Sequence, residues 1–455
     1  MLATRGLGID YLWVDSLCIV QDDKDDWAAE AARMGDVYAN AILTISTLSG
    51  TDCNDGLFTP HSLRQQYVLP FPIPPTSRPT KDARWFVPAV HPPVEENQYG
   101  VMQLPLRGPI HSRGWTFQEQ MLSTRILWFG QGHVQWECLS KFAADSSPES
   151  MGHYQYPGNN FNEPYRSRRM KEHLQRPFKI KATIPQSEHE TGKRNEDIVD
   201  AYKEWETLVA EYTTRNLTKE SDRIPAILGL ANVMGPMFEC EFSMGIWKGK
   251  HFPRSLLWQV HRGSCTAQNS YPSWTWASRS GCAIDYDFAN LDGGRASSWP
   301  ASLVVIDETH GSITLKGPVG KLTPEQTESL ASRFSFAFID KMSMDDDPKQ
   351  SWDKPLSTYL DHLSGTAPMP TWNEPKESLL QGRDIWYIDI VKYEHGTGHQ
   401  GYGYPMWPSG QPASVVRLLL EAADSEEPSW LFKRVGIAHV QLEELEGVVR
   451  EVVIV

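Results

Sequence analysis

The feature that most constrains this chain sits near its beginning. Tyr11–Ile19 (YLWVDSLCI) is mostly apolar and rich in β-formers, and an acidic pair, Asp22 and Asp23, follows at once. Lys24–Asn40 then carries a helical pattern, because Trp27, Ala31, Met34, Tyr38 and Ala41 recur at the spacing of one helix face. Asp23 is placed to cap that helix, and Asp25 and Asp26 suit the positive end of its dipole. A second short apolar run, Ala41–Thr47 (AILTIST), comes directly after. Strand, helix and strand in such quick succession predict a βαβ unit in an α/β fold with a mostly parallel sheet.

Ligands of open α/β sheets bind outside the carboxyl ends of the parallel strands. That rule makes Asp15, Ser16, Gln21, Asp22 and Asp23 candidates for a binding edge. Asp23 reads first as a cap, whereas Asp15 interrupts an apolar run and needs partners if it is buried. Glu30 lies beside the apolar stripe, three residues after Trp27, with an ion pair to Arg5, Arg113 or Arg125 as its alternative role. Further on, Ser112 is placed to cap a helix from Arg113 to Leu122. There Trp115, Gln118, Glu119 and Leu122 share one face, while Phe117 and Met121 occupy the other. A short helix that is apolar on both sides is buried. Glu119 is therefore expected to point into a cavity shared with Asp15 and Glu30, a salt bridge to a nearby arginine being the bland alternative.

The pattern along the chain divides it into four. Residues 1–140 hold the opening unit, with RILWFG and HVQWEC as its later strands. Residues 141–195 are polar and read as a linker or insertion. Residues 196–280 are helical in pattern, and residues 281–455 form a β-rich region of antiparallel strands, among them SLVVID, SITLKG, RFSFAFID and DIWYIDIVKY. Gly396 to Gly401 satisfies G-x-G-x-x-G, but the following YGYPMWPSGQP cannot supply the helix N-terminus that a dinucleotide needs.

The formal charge of −14 disfavours non-specific nucleic-acid binding, which needs a basic surface. No apolar run is long enough to span a membrane. The six cysteines are scattered without a C-x-x-C pair, which points to reduced thiols in a cytoplasmic protein and to no zinc site.

Two long segments carry a family likeness. GIDYLWVDSLCIVQDDKDDWAAEAARMGDVYANAILTIST and SRGWTFQEQMLSTRILWFGQGHVQWEC resemble, in the right order, the motifs of the heterokaryon incompatibility (HET) domain of filamentous fungi. The later segments RIPAILGLANVM, GIWKGKHFPRSLLWQV and YPSWTWASRSG resemble stretches that commonly follow it. The resemblance implies a role in non-self recognition and programmed cell death, with protein partners engaged by homotypic association or as an incompatibility partner. It also implies that the first strand of such domains, which ends in a Ser-Tyr-x-Trp-Gly-like turn, is missing here. The sheet is then expected to have an unpaired edge, and an inactive truncated paralogue is one outcome. HET domains resemble TIR domains, whose fold is flavodoxin-like and some of which cleave NAD with a helical glutamate. Ser112 to Glu119 is similar to that TIR motif, with Trp115 and Glu119 one residue further apart than the TIR pattern has them. The likeness thus implies Glu119 as catalytic residue and NAD as substrate of a glycohydrolase, and Asp15, Ser16, Asp22, Glu30, Arg113 and Trp115 are the residues expected around the pocket, with no metal expected.

Overall fold

The structure is a computed structural model that describes residues 1–52, 54–58, 95–96, 102–103, 108–130, 133–139, 142–144, 188–249, 252–262, 266–267, 270–286, 298–327, 358–360, 384–393, 414–423, 431–441 and 447–455. The chain forms two compact units, Met1–Lys179 with Pro225–Val233, and Ile180–Ile224 with Met234–Val455.

In the first unit, short helices α1 (Leu2–Gly6) and α2 (Asp15–Cys18) precede the long helix α3 (Lys24–Asn40). Asp23 caps α3 as its sequence predicts, since its carboxylate accepts the backbone N–H of Asp25 at 2.9 Å and of Asp26 at 3.1 Å. Met34 is buried and Trp27, Ala31, Tyr38 and Ala41 are half-buried, so the predicted stripe is the inward face. β1 (Thr44–Thr47) follows, then α4 (Thr116–Leu122), β2 (Arg125–Gly130), β3 (His133–Cys138) and β4 (Phe142–Ala144). The four strands form one sheet in the order β1-β2-β3-β4. β1 runs parallel to β2, with Thr44 opposite Ile126, and the two other pairings are antiparallel.

Three expectations need correction. Tyr11–Ile19 is not a strand: Asp15–Cys18 is a turn of helix, and Tyr11 is 90% exposed. The physical reason is local competition for the backbone. Asp15 takes the N–H of Ser16 on its own carboxylate, and its carbonyl receives the Ile19 N–H and the Gln21 amide. These bonds occupy groups that a ladder would need. This sheet is also not mostly parallel, because among its described strands only the β1–β2 pair is. Ser112 does not cap α4 either. Its hydroxyl donates to the Pro109 carbonyl within a 3-10 turn, Pro109–Ser112, and the helix starts at Thr116.

One contact holds three helical segments of this unit together. Helix α6 (Pro225–Phe238) brings Gly229 against Gly35 of α3 and against Gln118 and Leu122 of α4. The Gly229 N–H donates to the Gln118 side-chain oxygen at 3.2 Å. A Cβ on Gly229 would stand 2.5 Å from that oxygen and 3.1 Å from the Gly35 Cα.

In the second unit, α5 (Glu188–Thr213) buries Tyr202, Trp205, Val209 and Tyr212. Its aromatic face meets β5 (Phe242–Ser243) and β6 (Ile246–Trp247), where Trp205 and Trp247 meet edge to face at 5.4 Å. The turn between these strands has φ of 47° at Met244 and 92° at Gly245, the left-handed pair that a two-residue hairpin requires. Glu206 of α5 holds the Arg254 guanidinium at 2.5 and 2.9 Å, on α7 (Phe252–Ser255), and both side chains are buried. After β7 (Gln259–Arg262) and β8 (Ala283–Asp285) comes the β-rich region. It holds β9 (Ser302–Asp307), β10 (Ser312–Lys321), β11 (Thr358–Leu360), β12 (Ile385–Tyr393), β13 (Ser414–Ala422), β14 (Leu431–Gln441) and β15 (Val448–Ile454). The expected strand RFSFAFID lies outside the described residues.

These strands close into a ring. β10 pairs β12, β12 pairs β13, β13 pairs β14, and β15 pairs both β14 and β10. Register places Ile313, Val319, Ile388, Leu418, Ile437 and Ile454 on the inner face, all at 4% exposure or less, so the barrel is a filled apolar core. Asp389 and Arg417 face each other on the outer side of β12 and β13, joined at 2.8 Å and almost wholly buried. The Arg417 guanidinium lies over the Tyr387 ring, 4.0 Å from its centroid.

Gly229→Ala is expected to lower stability by about 1–3 kcal/mol in equilibrium unfolding, because backbone as well as side chain blocks the new methyl. Gly6→Ala, with nothing within 4 Å of the added carbon, is the neutral control. In the second unit, Asp389→Ala is expected to cost about 3–5 kcal/mol by leaving a buried guanidinium without its counter-charge. The double variant Asp389→Leu/Arg417→Met should recover most of that loss, and equal losses in both would overturn the assignment.

Candidate functional site

The candidate site lies in the first unit, where α3 ends against α4. Tyr38 stands in the last turn of α3 and donates its phenol hydrogen to Oε2 of Glu119 at 2.9 Å. The Trp13 ring meets Tyr38 edge to face at 5.8 Å, and at the other end of α3 Trp27 meets Trp115 in the same way at 6.1 Å. α3 is thus held to its surroundings at both ends by aromatic edges. Glu119 is also fixed through its backbone: the Ser123 hydroxyl donates to its carbonyl at 2.6 Å and meets the Thr44 hydroxyl at 2.6 Å. The start of β1 is therefore tied to the last turn of α4.

The electrostatics centre on the phenol. Burial pushes the Tyr38 pKa far above the ordinary tyrosine range, and the Glu119 carboxylate, its hydrogen bond and the Asp15 carboxylate push it the same way, while Arg113 opposes them. Tyr38 is consequently a neutral donor that keeps its proton well into alkaline solution. A neutral phenol on a half-buried carboxylate fixes the side-chain rotamer and favours the ionised acid.

Of the predicted residues, Glu119 is bonded to Tyr38, while Asp15 and Arg113, both exposed, act on the phenol through their charge. Glu30 is engaged elsewhere, in an ion pair with Arg33 at 3.1 Å on its own helix rather than with Arg5, Arg113 or Arg125. Ser16 and Asp22 are exposed, and the Ser16 N–H is taken by Asp15. Trp115 is half-buried against Trp27. Tyr38 is the residue that sequence reasoning missed as a functional group, since it was read only as one step of the apolar stripe. The available signal was its hydroxyl, because an inward tyrosine needs a partner for that group.

Among the described residues no group of three or more potential metal ligands occurs. Cys18, Cys138, Cys240 and Cys282 are not joined in disulfides, and Cys53 and Cys265 lie outside the described residues, as does the glycine run at Gly396. No described helix is long and apolar enough to cross a membrane.

Residues 1–119 match the family model described as Heterokaryon incompatibility protein (HET), a match that runs from α1 to Glu119 itself. That stretch is similar to the HET domain. No curated protein and no solved structure matches the chain. Within the matched residues, the Tyr38–Glu119 bond joins the long helix α3 to the short helix α4.

Tyr38→Phe is expected to cost about 1–2 kcal/mol of stability by removing a donor from a half-buried carboxylate. The pH dependence has a fixed sign. The folded phenol pKa lies above the unfolded value of 10.0, so the unfolded chain releases this proton first as pH rises. The stability contributed is whole below that value and is lost above it, so the gap between wild type and Tyr38→Phe should narrow in alkaline solution. Urea titrations of both proteins on either side of the ordinary tyrosine range check this, and a widening gap would contradict it.

Proposed function

We propose that the protein acts in fungal non-self recognition, as a cytoplasmic module whose HET domain passes a programmed cell death signal to protein partners. The observation that carries this reading is the HET match over residues 1–119. The geometry favours a module without chemistry of its own, because the Glu119 carboxylate is occupied by the Tyr38 phenol and serves to join two helices. On this reading the acidic composition is consistent with protein rather than nucleic-acid partners.

A second reading is a TIR-like NAD glycohydrolase built on Glu119. It draws on the gathering of Asp15 and Arg113 about the Tyr38–Glu119 pair and on the parallel β1–β2 pairing, a flavodoxin-like element. Cleavage of a ribosyl–nicotinamide bond develops oxocarbenium character, which a carboxylate in that position would stabilise.

Inducible expression of the full chain in a filamentous fungus separates the two. Cell death is expected with wild type and is expected to persist with Glu119→Gln, while purified protein releases no nicotinamide from NAD. Death lost with Glu119→Gln, together with nicotinamide release by wild type, would move the conclusion to the glycohydrolase. Absence of death with a folded, expressed wild type would overturn the signalling role.

A further inference from the structure

The residues before the long helix leave an unusual surface. Of the thirteen large apolar side chains exposed among the described residues, nine lie before residue 59. The density is highest in one short segment, where Leu7, Tyr11, Leu12, Leu17 and Val20 are 48%, 90%, 43%, 70% and 53% exposed. Exposed apolar side chains standing singly are ordinary, but a cluster of them marks an interaction surface. The segment is held in shape by its own bonds: the Val20 N–H donates to the Asp26 carboxylate at 2.8 Å, and the Gln21 amide donates to the carbonyls of Asp15 and Ile19 at 3.3 Å each. An apolar surface fixed in this way binds with less ordering cost than a free chain end would.

Charge identifies what fits there. Residues 1–26 hold six aspartates against one arginine and one lysine. Asp10, Asp22 and Asp25 are exposed, and their carboxylates have neither an ion pair nor a hydrogen bond among the described residues. Unpaired carboxylates around exposed leucine, valine and tyrosine match a partner that carries apolar side chains flanked by lysine or arginine. They repel an anionic membrane surface, and they repel a second copy of the same acidic segment, on a chain whose formal charge is −14.

We propose that the segment from Leu7 to Asp25 is a docking surface for a basic amphipathic segment of a partner protein. It differs from the Tyr38–Glu119 contact, and binding measured in solution tests it without reference to any cell-death outcome.

The probe is a fluorescent synthetic peptide of about 15 residues with leucines on one helix face and lysines on the other, long enough to form a helix on binding. Its counterpart carries glutamate in place of every lysine. Anisotropy with the full chain should show binding of the lysine peptide alone, weakening at least about tenfold as salt rises from about 50 to about 300 mM. Two surface variants, Tyr11→Asn/Leu17→Asn and Asp10→Asn/Asp22→Asn/Asp25→Asn, should each weaken it at least about tenfold. Because these side chains are exposed, both variants should melt like wild type, which separates lost binding from lost folding. Unchanged affinity in either variant, or equal binding of the glutamate peptide, would overturn the proposal. So would self-association of wild type that vanishes in Tyr11→Asn/Leu17→Asn, which would give the surface to a second copy. Binding to vesicles of anionic lipid lost in the same variant would give it to a membrane and overturn the proposal as well.

Discussion

The first unit depends on how closely three helical segments approach. Gly35 and Gly229 remove the side chains that would keep α3 and α6 apart, and the Gln118 amide oxygen fills the remaining polar gap by taking the Gly229 N–H. With that spacing set, α4 lies near enough to α3 for Trp115 to meet Trp27 and for Glu119 to reach Tyr38. A hydrogen bond of 2.9 Å tolerates little displacement, so the candidate site inherits its geometry from a contact between backbones. The site residues are polar and the contact that positions them has almost no side chain at all.

Parts of this were open to reading and parts were not. Asp23 declared the start of α3 because capping is a local event, decided by one carboxylate and two nearby N–H groups. The strands of the β-rich region were equally plain, since Ile385–Tyr393 and Ser414–Ala422 are short, mostly apolar runs rich in β-branched and aromatic or leucine side chains, broken by single charges such as Asp389 and Arg417. Tyr11–Ile19 misled for the converse reason. Its β-formers are real, but a strand is defined by its neighbour, and Asp15 and Ser16 offered the backbone local partners instead. The glycine contact was illegible because Gly35 and Gly229 lie far apart in sequence, and an isolated glycine carries no periodicity. Of the site, Glu119 drew notice as a charge in an apolar setting, whereas Tyr38 was hidden by its own apolar ring.

The second unit solves a different problem. It buries Arg223, Arg254, Arg417 and Arg434 almost completely. Each is neutralised or hydrogen-bonded: Arg223 by Glu220, Arg254 by Glu206, Arg417 by Asp389, and Arg434 by the carbonyls of Leu256 and Trp258 beneath its stacked guanidinium. Such groups add little net stability over apolar replacements, but they tolerate only one arrangement of their neighbours. The tryptophans follow the same logic, since the indole N–H groups of Trp258, Trp274 and Trp276 each end on a backbone carbonyl. Large apolar bodies with single polar exits thus fix the loops around them.

The barrel closes through a narrow seam. β14 and β15 meet in parallel at only two positions, Leu431 with Val453 and Phe432 with Ile454, while β10 must find β15 across most of the intervening region, Ile313 against Ile454. Antiparallel neighbours such as β12 and β13 assemble through much shorter loops. The loop-closure cost is therefore lower for β12 with β13 than for β10 with β15. The ring cannot close until β15 has met both β10 and β14. Parting the two-residue pairing of β14 with β15 alone would turn the ring into a sheet running from β14 through β13, β12 and β10 to β15.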